Sequence, residues 1–213
     1  MTEITFAALL RETIHLMRGN AWRIAIAMVL LVAIPVFADL GVDPRDRSGI
    51  DIVAAFVSVF LQTWLTVAVL EANDRRQGGR GVGTVFGIGI LNGLGVLIGL
   101  VLLIVPGIFL LVRWSISVPY ALAEDVGVID ALQASFEQTR DAFWPILAVL
   151  IACYAPSALA FASIYLFETD GITLISSLVV NVSINVALFA GWHAAGAIYL
   201  AARRGIGLSE TFA

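Results

Sequence analysis

The side chains that could do chemistry are few and scattered. His15, His193 and the single cysteine, Cys153, lie far apart, with no neighbours at metal-ligand spacing, so neither a thiolate metal cluster nor an internal disulfide can form. His193 follows Trp192, with Asn181 and Asn185 earlier on the same segment. A proton relay there would want a carboxylate at matching depth, and the apolar runs supply none, so these groups read as hydrogen bonds between helices. There is no nucleophile elbow, no paired-histidine motif and no acid cluster able to hold magnesium. No catalytic residue, cofactor or metal is assigned, and the chain is not expected to be an enzyme. The sequon Asn181, Val182, Ser183 falls inside an apolar run, where it is chance.

Charged positions say more. Arg113 alone stands well inside an apolar run, where an ionisable group is a functional candidate by default. Counted from Ile108 it lies roughly 8 Å into its helix, near enough for the guanidinium to reach outer headgroup phosphate or the carbonyls of a helix end. Structural anchoring and lipid binding are both open there. Glu124 and Asp125 stop the same segment, and Glu124 could pair with an arginine such as Arg140. Arg113, Glu124 and Arg140 form the candidate lipid or structural site.

Membrane spans must position these charges. Apolar residues make up 60% of the 213 and charged residues 13%, against about 45 to 50% and 25% in soluble domains. Six helices of about 20 residues would absorb the apolar total. The polar remainder comes in pieces too short for a separate soluble core. Run length places spans over Trp22 to Leu40, Ile50 to Ala72, Val82 to Val105, Ile108 to Leu122, Phe143 to Phe167 and Thr173 to Ala202. Pro106 and Gly107 are expected to supply the turn inside the hairpin 82–122, because proline lacks a donor and glycine tolerates left-handed backbone. The fourth span is short, tilted or incomplete. The run Ile24 to Ala38 imitates part of a secretory signal, but an amphipathic stretch precedes it, so an uncleaved span is expected.

Arginine supports the count. A cytoplasmic N terminus puts Arg11, Arg18, Arg23, Arg75, Arg76, Arg80, Arg140, Arg203 and Arg204 inside and only Arg45 and Arg47 outside, as the positive-inside rule requires. Both termini are then cytoplasmic in a multi-pass protein of the bacterial inner membrane. The net charge of −4 comes from 16 acids and 12 bases, and gives no reason to expect nucleic acid as a partner.

Two short segments are amphipathic. Residues Ile4 to Arg18 gather Ile4, Ala7, Ala8, Leu10, Ile14 and Met17 on one face, and Val128 to Arg140 gather Val128, Ala131, Leu132, Ser135, Phe136 and Thr139. Both are read as cytoplasmic surface helices. Arg18, Trp22 and Ile24 match Arg140, Trp144 and Ile146 at an offset of 122, while Trp64, Arg75 and Arg76 match Trp192, Arg203 and Arg204 at 128. An internal duplication is expected, with parallel copies at about 4–76 and 128–204 joined by the hairpin 82–122 in a single domain over 1–213. Recurrence of tryptophan and arginine at membrane boundaries is the alternative source of the match. In the third span Gly83 and Gly87, Gly89 and Gly93, and Gly95 and Gly99 are four apart, a spacing for close helix packing rather than for a pore lining.

Pro106, Gly107 and Ile108, followed by Arg113, Trp114, Ser115, Pro119, Glu124, Gly127, Ala131, Leu132, Ser135, Thr139, Arg140 and Trp144, resemble a known pattern. It is that of six-span bacterial proteins which include the membrane domain attached to some glycerophosphodiester phosphodiesterases. Asp141 departs from it where glycine follows the Thr-Arg pair, as does Gln138 where an apolar residue is usual. The family's catalytic activity belongs to a soluble barrel that this sequence lacks, so the resemblance implies a helical membrane bundle without phosphodiesterase chemistry. The fold expected is all-α, a polytopic bundle of six transmembrane helices with two surface helices. The function expected is non-enzymatic: organising or binding membrane lipid or a membrane protein partner, a second copy included. The alternative is a small transporter or channel, which a neutral solute would suit because intramembrane charge is nearly absent.

Overall fold

The computed structural model of the protein describes residues 4–43, 45–167 and 173–211, and every regular element in them is helical. Pro44 and both chain ends lie outside the described residues, so the expectation about the termini does too. The elements are α1 (Phe6–Gly19), α2 (Ala21–Gly41), α3 (Ser48–Glu71), α4 (Val82–Leu102), α5 (Ile104–Arg113), α6 (Ser117–Glu124), α7 (Val128–Gln138), a 3-10 turn (Arg140–Ala142), α8 (Phe143–Phe167) and α9 (Leu174–Thr211). Six stretches are long and apolar enough to cross a membrane: α2, α3, α4, α5 with α6 (Ile104–Glu124), Arg140–Ala158 and Leu174–Arg204. The protein is a multi-pass membrane bundle. Its outward side chains agree, since Val29, Phe37, Leu97, Val101 and Ile151 are exposed, as lipid would allow and water would not.

The helix starts follow proline. Pro106, Pro119 and Pro145 each occupy the third position of a helix, α5, α6 and α8. A proline ring clashes with the carbonyl four residues back and offers it no N–H, so the preceding helix has to end upstream. This corrects the expectation for the hairpin turn. The chain breaks at Leu103, which is extended (φ −161°, ψ 133°), while Pro106 and Gly107 lie in the first turn of α5. Gly107 instead permits close approach: a Cβ on Gly99 of α4 would lie 2.8 Å from the Gly107 Cα. The same face of α4 seats Trp114 over Gly95 and Val128 over Gly87, whereas Gly83, Gly89 and Gly93 meet open space. The glycine pairs therefore contribute one packing face, not three.

Pro35 and Pro156 sit within helices instead. Pro35 leaves the Leu31 carbonyl without its helical donor, and Asn185 of α9 donates Nδ2 to that oxygen at 3.2 Å. Nearby, Asp39 of α2 accepts from Arg47 Nη1 (2.9 Å), Ser177 Oγ (2.6 Å) and Asn181 Nδ2 (3.3 Å). Asn181 and Asn185 thus tie the first span to the last. His193 does not bridge helices, because its Nδ1 donates to the Phe189 carbonyl of its own helix at 2.8 Å.

α9 is the central element. It packs against α1, α2, α3, α6 and α8, and Phe189, Ala194, Ala197, Ile198, Tyr199 and Leu200 are buried. Gly196 lets the side chains of Val69 and Leu16 close on its backbone, at 3.2 and 3.8 Å from an added Cβ.

Candidate functional site

Half-way along the fourth span, Trp114, Ser115 and Ile116 leave the helix, between α5 and α6. Pro119 explains the break, since it cannot donate to the Ser115 carbonyl. Freed backbone groups in lipid need partners, and α7 brings them. Ser135 Oγ donates to the Arg113 carbonyl at 2.8 Å and accepts from the Ile116 N–H at 3.3 Å. Thr139 Oγ1 reaches the same carbonyl at 3.2 Å. Both hydroxyls are fully buried, so α7 is a plug against a broken span rather than a helix lying free on a surface.

Arg113 is placed differently from the sequence expectation. It is the tenth and last residue of α5, because that helix starts at Ile104 and ends at the break. Its side chain is 8% exposed and lies under α7, with the guanidinium carbon 4.5 Å from the Phe136 ring centre and 5.2 Å from that of Phe109. Nε and Nη1 are buried without a hydrogen bond among the described residues. Reach toward outer headgroups is therefore excluded for these two nitrogens. The charge is held by two aromatic faces and by the negative C-terminal end of α5, contributions of about 1 to 2 kcal/mol each when desolvated.

Glu124 does not meet Arg140. It accepts from Tyr199 Oη at 2.6 Å and pairs with Arg203 Nη2 at 2.9 Å, both on α9. The chain turns at Asp125, in the left-handed region (φ 56°), and the 11 residues of α7 carry it away, so Arg140 emerges about 16 Å further on and is exposed. Asp125 pins the preceding loop, accepting from the Arg80 N–H at 3.1 Å beside Gly78, where any Cβ would collide with its carboxylate.

The joint between α1 and α2 holds a second group of charges. One flank of α1, Leu9, Thr13, Leu16 and then Asn20, is buried, while Phe6 and Ile14 face outward with Arg11, His15 and Arg18 beyond them. The helix has two apolar flanks, and the bundle takes the one that the sequence pattern ranked lower. Below the joint is a pocket of about 290 Å³ walled by Glu12, Asn20, Arg23, Asn73 and Arg204 over a floor of Leu16 and Val69. Arg23 lies 4.7 Å above the Trp22 ring and gives Nη1 to Asn20 Oδ1 at 2.9 Å, while its Nε is buried without a hydrogen bond. Arg204 pairs with Glu12 at 3.1 Å, and Trp22 stands edge-on to Trp64 at 5.8 Å.

A second opening, about 120 Å³, lies where α3, α4, α8 and α9 surround the break. Gln62, Asn92, Tyr154, Trp114 and Trp192 line it with Ser115 and Ser117, and no charged residue does. The sequence pointed to Arg113, Glu124 and Arg140, which the structure sends to three separate places. It gave no weight to Gln62, Asn92 or Tyr154, although an amide inside an apolar run was the available signal. Compared with known protein families, curated proteins and solved structures, the chain matches none.

Proposed function

We propose that the protein is a non-enzymatic component of the bacterial inner membrane, with both termini cytoplasmic, that binds phospholipid at its arginine-rich end. The observation that supports this best is the pocket at the α1 to α2 joint. Two arginines against one glutamate leave one positive charge for a phosphodiester, whose oxygens match the guanidinium fork. Trp22 and the outward Phe6 and Ile14 give an adjoining apolar border for acyl chain or glycerol backbone, the layering of an interfacial site. The resemblance to the membrane domains beside phosphodiesterase barrels, and the nine-to-two arginine count, support the same orientation.

Phospholipid retained through purification, counted by native mass spectrometry, tests the reading. The double variant Arg23→Gln, Arg204→Gln should lose most of the retained anionic phospholipid while still purifying as a folded bundle. Retention equal to the unsubstituted protein would sink the assignment. Reporter fusions at Ala213 and beside Asp46 test the orientation and should fall on opposite sides of the membrane.

A further inference from the structure

The opening at the break of the fourth span shares no lining residue with the pocket at the α1 to α2 joint, and its lining is unusual for a membrane interior. Gln62, Asn92 and the Tyr154 hydroxyl make no hydrogen bond among the described residues, nor do the indole N–H groups of Trp114 and Trp192, and all five residues are half-buried or exposed. Pro119 withholds the N–H that the Ser115 carbonyl would otherwise receive, adding an acceptor at the same place. Ser115 and Ser117, also in the lining, spend their hydroxyl protons on the Val112 and Trp114 carbonyls, at 2.8 and 2.7 Å, so their hydroxyl oxygens can act only as acceptors. These groups are accessible from the opening and free to bond a molecule that enters it.

The lining defines that occupant's chemistry. No charge borders the cavity, so an ion entering it would lose its hydration without compensation. The donors and acceptors alternate with the flat faces of Trp114, Tyr154 and Trp192, a combination that suits an organic molecule better than water alone. The volume of about 120 Å³ equals the liquid share of about four waters. Tyr154 can lie across α9 only because residue 191 is glycine, where a Cβ would fall 2.8 Å from the hydroxyl. The unwound segment is held open from behind by Ser135 and Thr139, so the site is formed in advance of any ligand.

We propose that this cavity binds one small uncharged solute rich in hydrogen-bonding groups, of the amide or polyol class, between the broken fourth span and α3, α4, α8 and α9. Discontinuous spans that place polar groups at mid-membrane are the usual construction of solute sites in transporters.

Acrylamide, a neutral amide that quenches indole fluorescence, is the probe. With Trp22, Trp64 and Trp144 replaced by phenylalanine in the full chain, the remaining emission comes from Trp114 and Trp192, both at the cavity. Quenching should saturate with acrylamide concentration, be relieved by urea or acetamide, and become linear in the double variant Gln62→Leu, Asn92→Leu. Iodide should quench weakly. Linear quenching in the starting protein, with no relief by urea, would mean a cavity holding water only and would overturn the proposal. So would saturation that survives in the double variant, or iodide acting as well as acrylamide. Should the double variant fail to fold, Tyr154→Phe removes a single hydroxyl and should raise the half-saturating concentration about threefold or more, as the loss of roughly one hydrogen bond implies. An unchanged value there also overturns it.

Discussion

α1 and α7 begin from the same amphipathic plan and end in different roles. At an offset of 122, buried Leu9 and Thr13 of α1 correspond to buried Ala131 and Ser135 of α7. Thr13 turns its hydroxyl back to the Leu9 carbonyl of its own helix (2.8 Å), whereas Ser135 spends both hydrogen-bonding functions on another element. The neighbours account for the difference. α1 joins α9, an uninterrupted helix that offers no freed backbone group, so the two exchange packing and the Glu12 to Arg204 ion pair. α7 joins a span cut by Pro119, and its hydroxyls answer groups that lipid cannot. An amphipathic pattern thus places a helix at a bundle; the state of the neighbouring backbone decides what that helix does. The internal duplication we propose for 4–76 and 128–204 would then be a shared origin with divergent use.

The largest expected effect separates the paired hydroxyls. Ser135→Val should cost about 2 to 5 kcal/mol, since it strands a buried N–H and weakens the cover on a buried carbonyl, whereas Thr13→Val should cost under about 1 kcal/mol. Unfolding in detergent would report both, and equal losses would erase the distinction between plug and surface helix. Next comes the response to lost packing. Leu16→Ala should cost about 2 to 4 kcal/mol locally, loosening α1 in hydrogen exchange while α2 to α9 stay protected; Leu132→Ala on α7 should lower protection across α4, α5 and α6 as well. Uniform loss in both variants would show that α1 is as integral as α7.

Smaller effects sharpen the account of the buried charge. Phe136→Leu should destabilise by about 1 to 2 kcal/mol through loss of one aromatic face from Arg113. Arg113→Leu should change stability by less than about 1 kcal/mol, because it removes a desolvated charge with no ion pair among the described residues together with its aromatic contacts. Thermal unfolding of the two variants side by side decides this, and a collapse of Arg113→Leu greater than that of Phe136→Leu would reveal a carboxylate partner. The smallest shift is expected for Arg204→Gln, about 0 to 1 kcal/mol, as for exposed ion pairs in general.

Much of the scaffold was legible in advance because a bilayer reads length and apolarity, and both are linear in the sequence. α2, α3 and α8 begin and end within a few residues of the runs that predicted them. What failed was the assignment of proline. Pro106 reads from the sequence as a turn, yet Pro106, Pro119 and Pro145 act alike from the third position of a helix, and the same logic accounts for the break at Trp114 to Ile116. The candidate site was hardly legible. Gln62, Asn92 and Tyr154 sit on three helices, and each alone is one polar side chain in an apolar run; only their convergence distinguishes them. Arg113 stands out in the sequence by its charge, but its depth depends on where α5 starts, four residues earlier than run length suggests.

The Leu31 carbonyl makes an early helix depend on a much later one. Pro35 leaves that oxygen bare in the first span, and the group that covers it, Asn185, belongs to the last. While the ribosome works through the intervening 150-odd residues, the first helix stands in the bilayer with a polar gap in its flank. It cannot settle among lipids on its own terms, and no middle span offers a substitute donor at that oxygen. The tie between α2 and α9 therefore runs through a single atom: without α9, that oxygen would be left as an acceptor with no donor in an apolar setting.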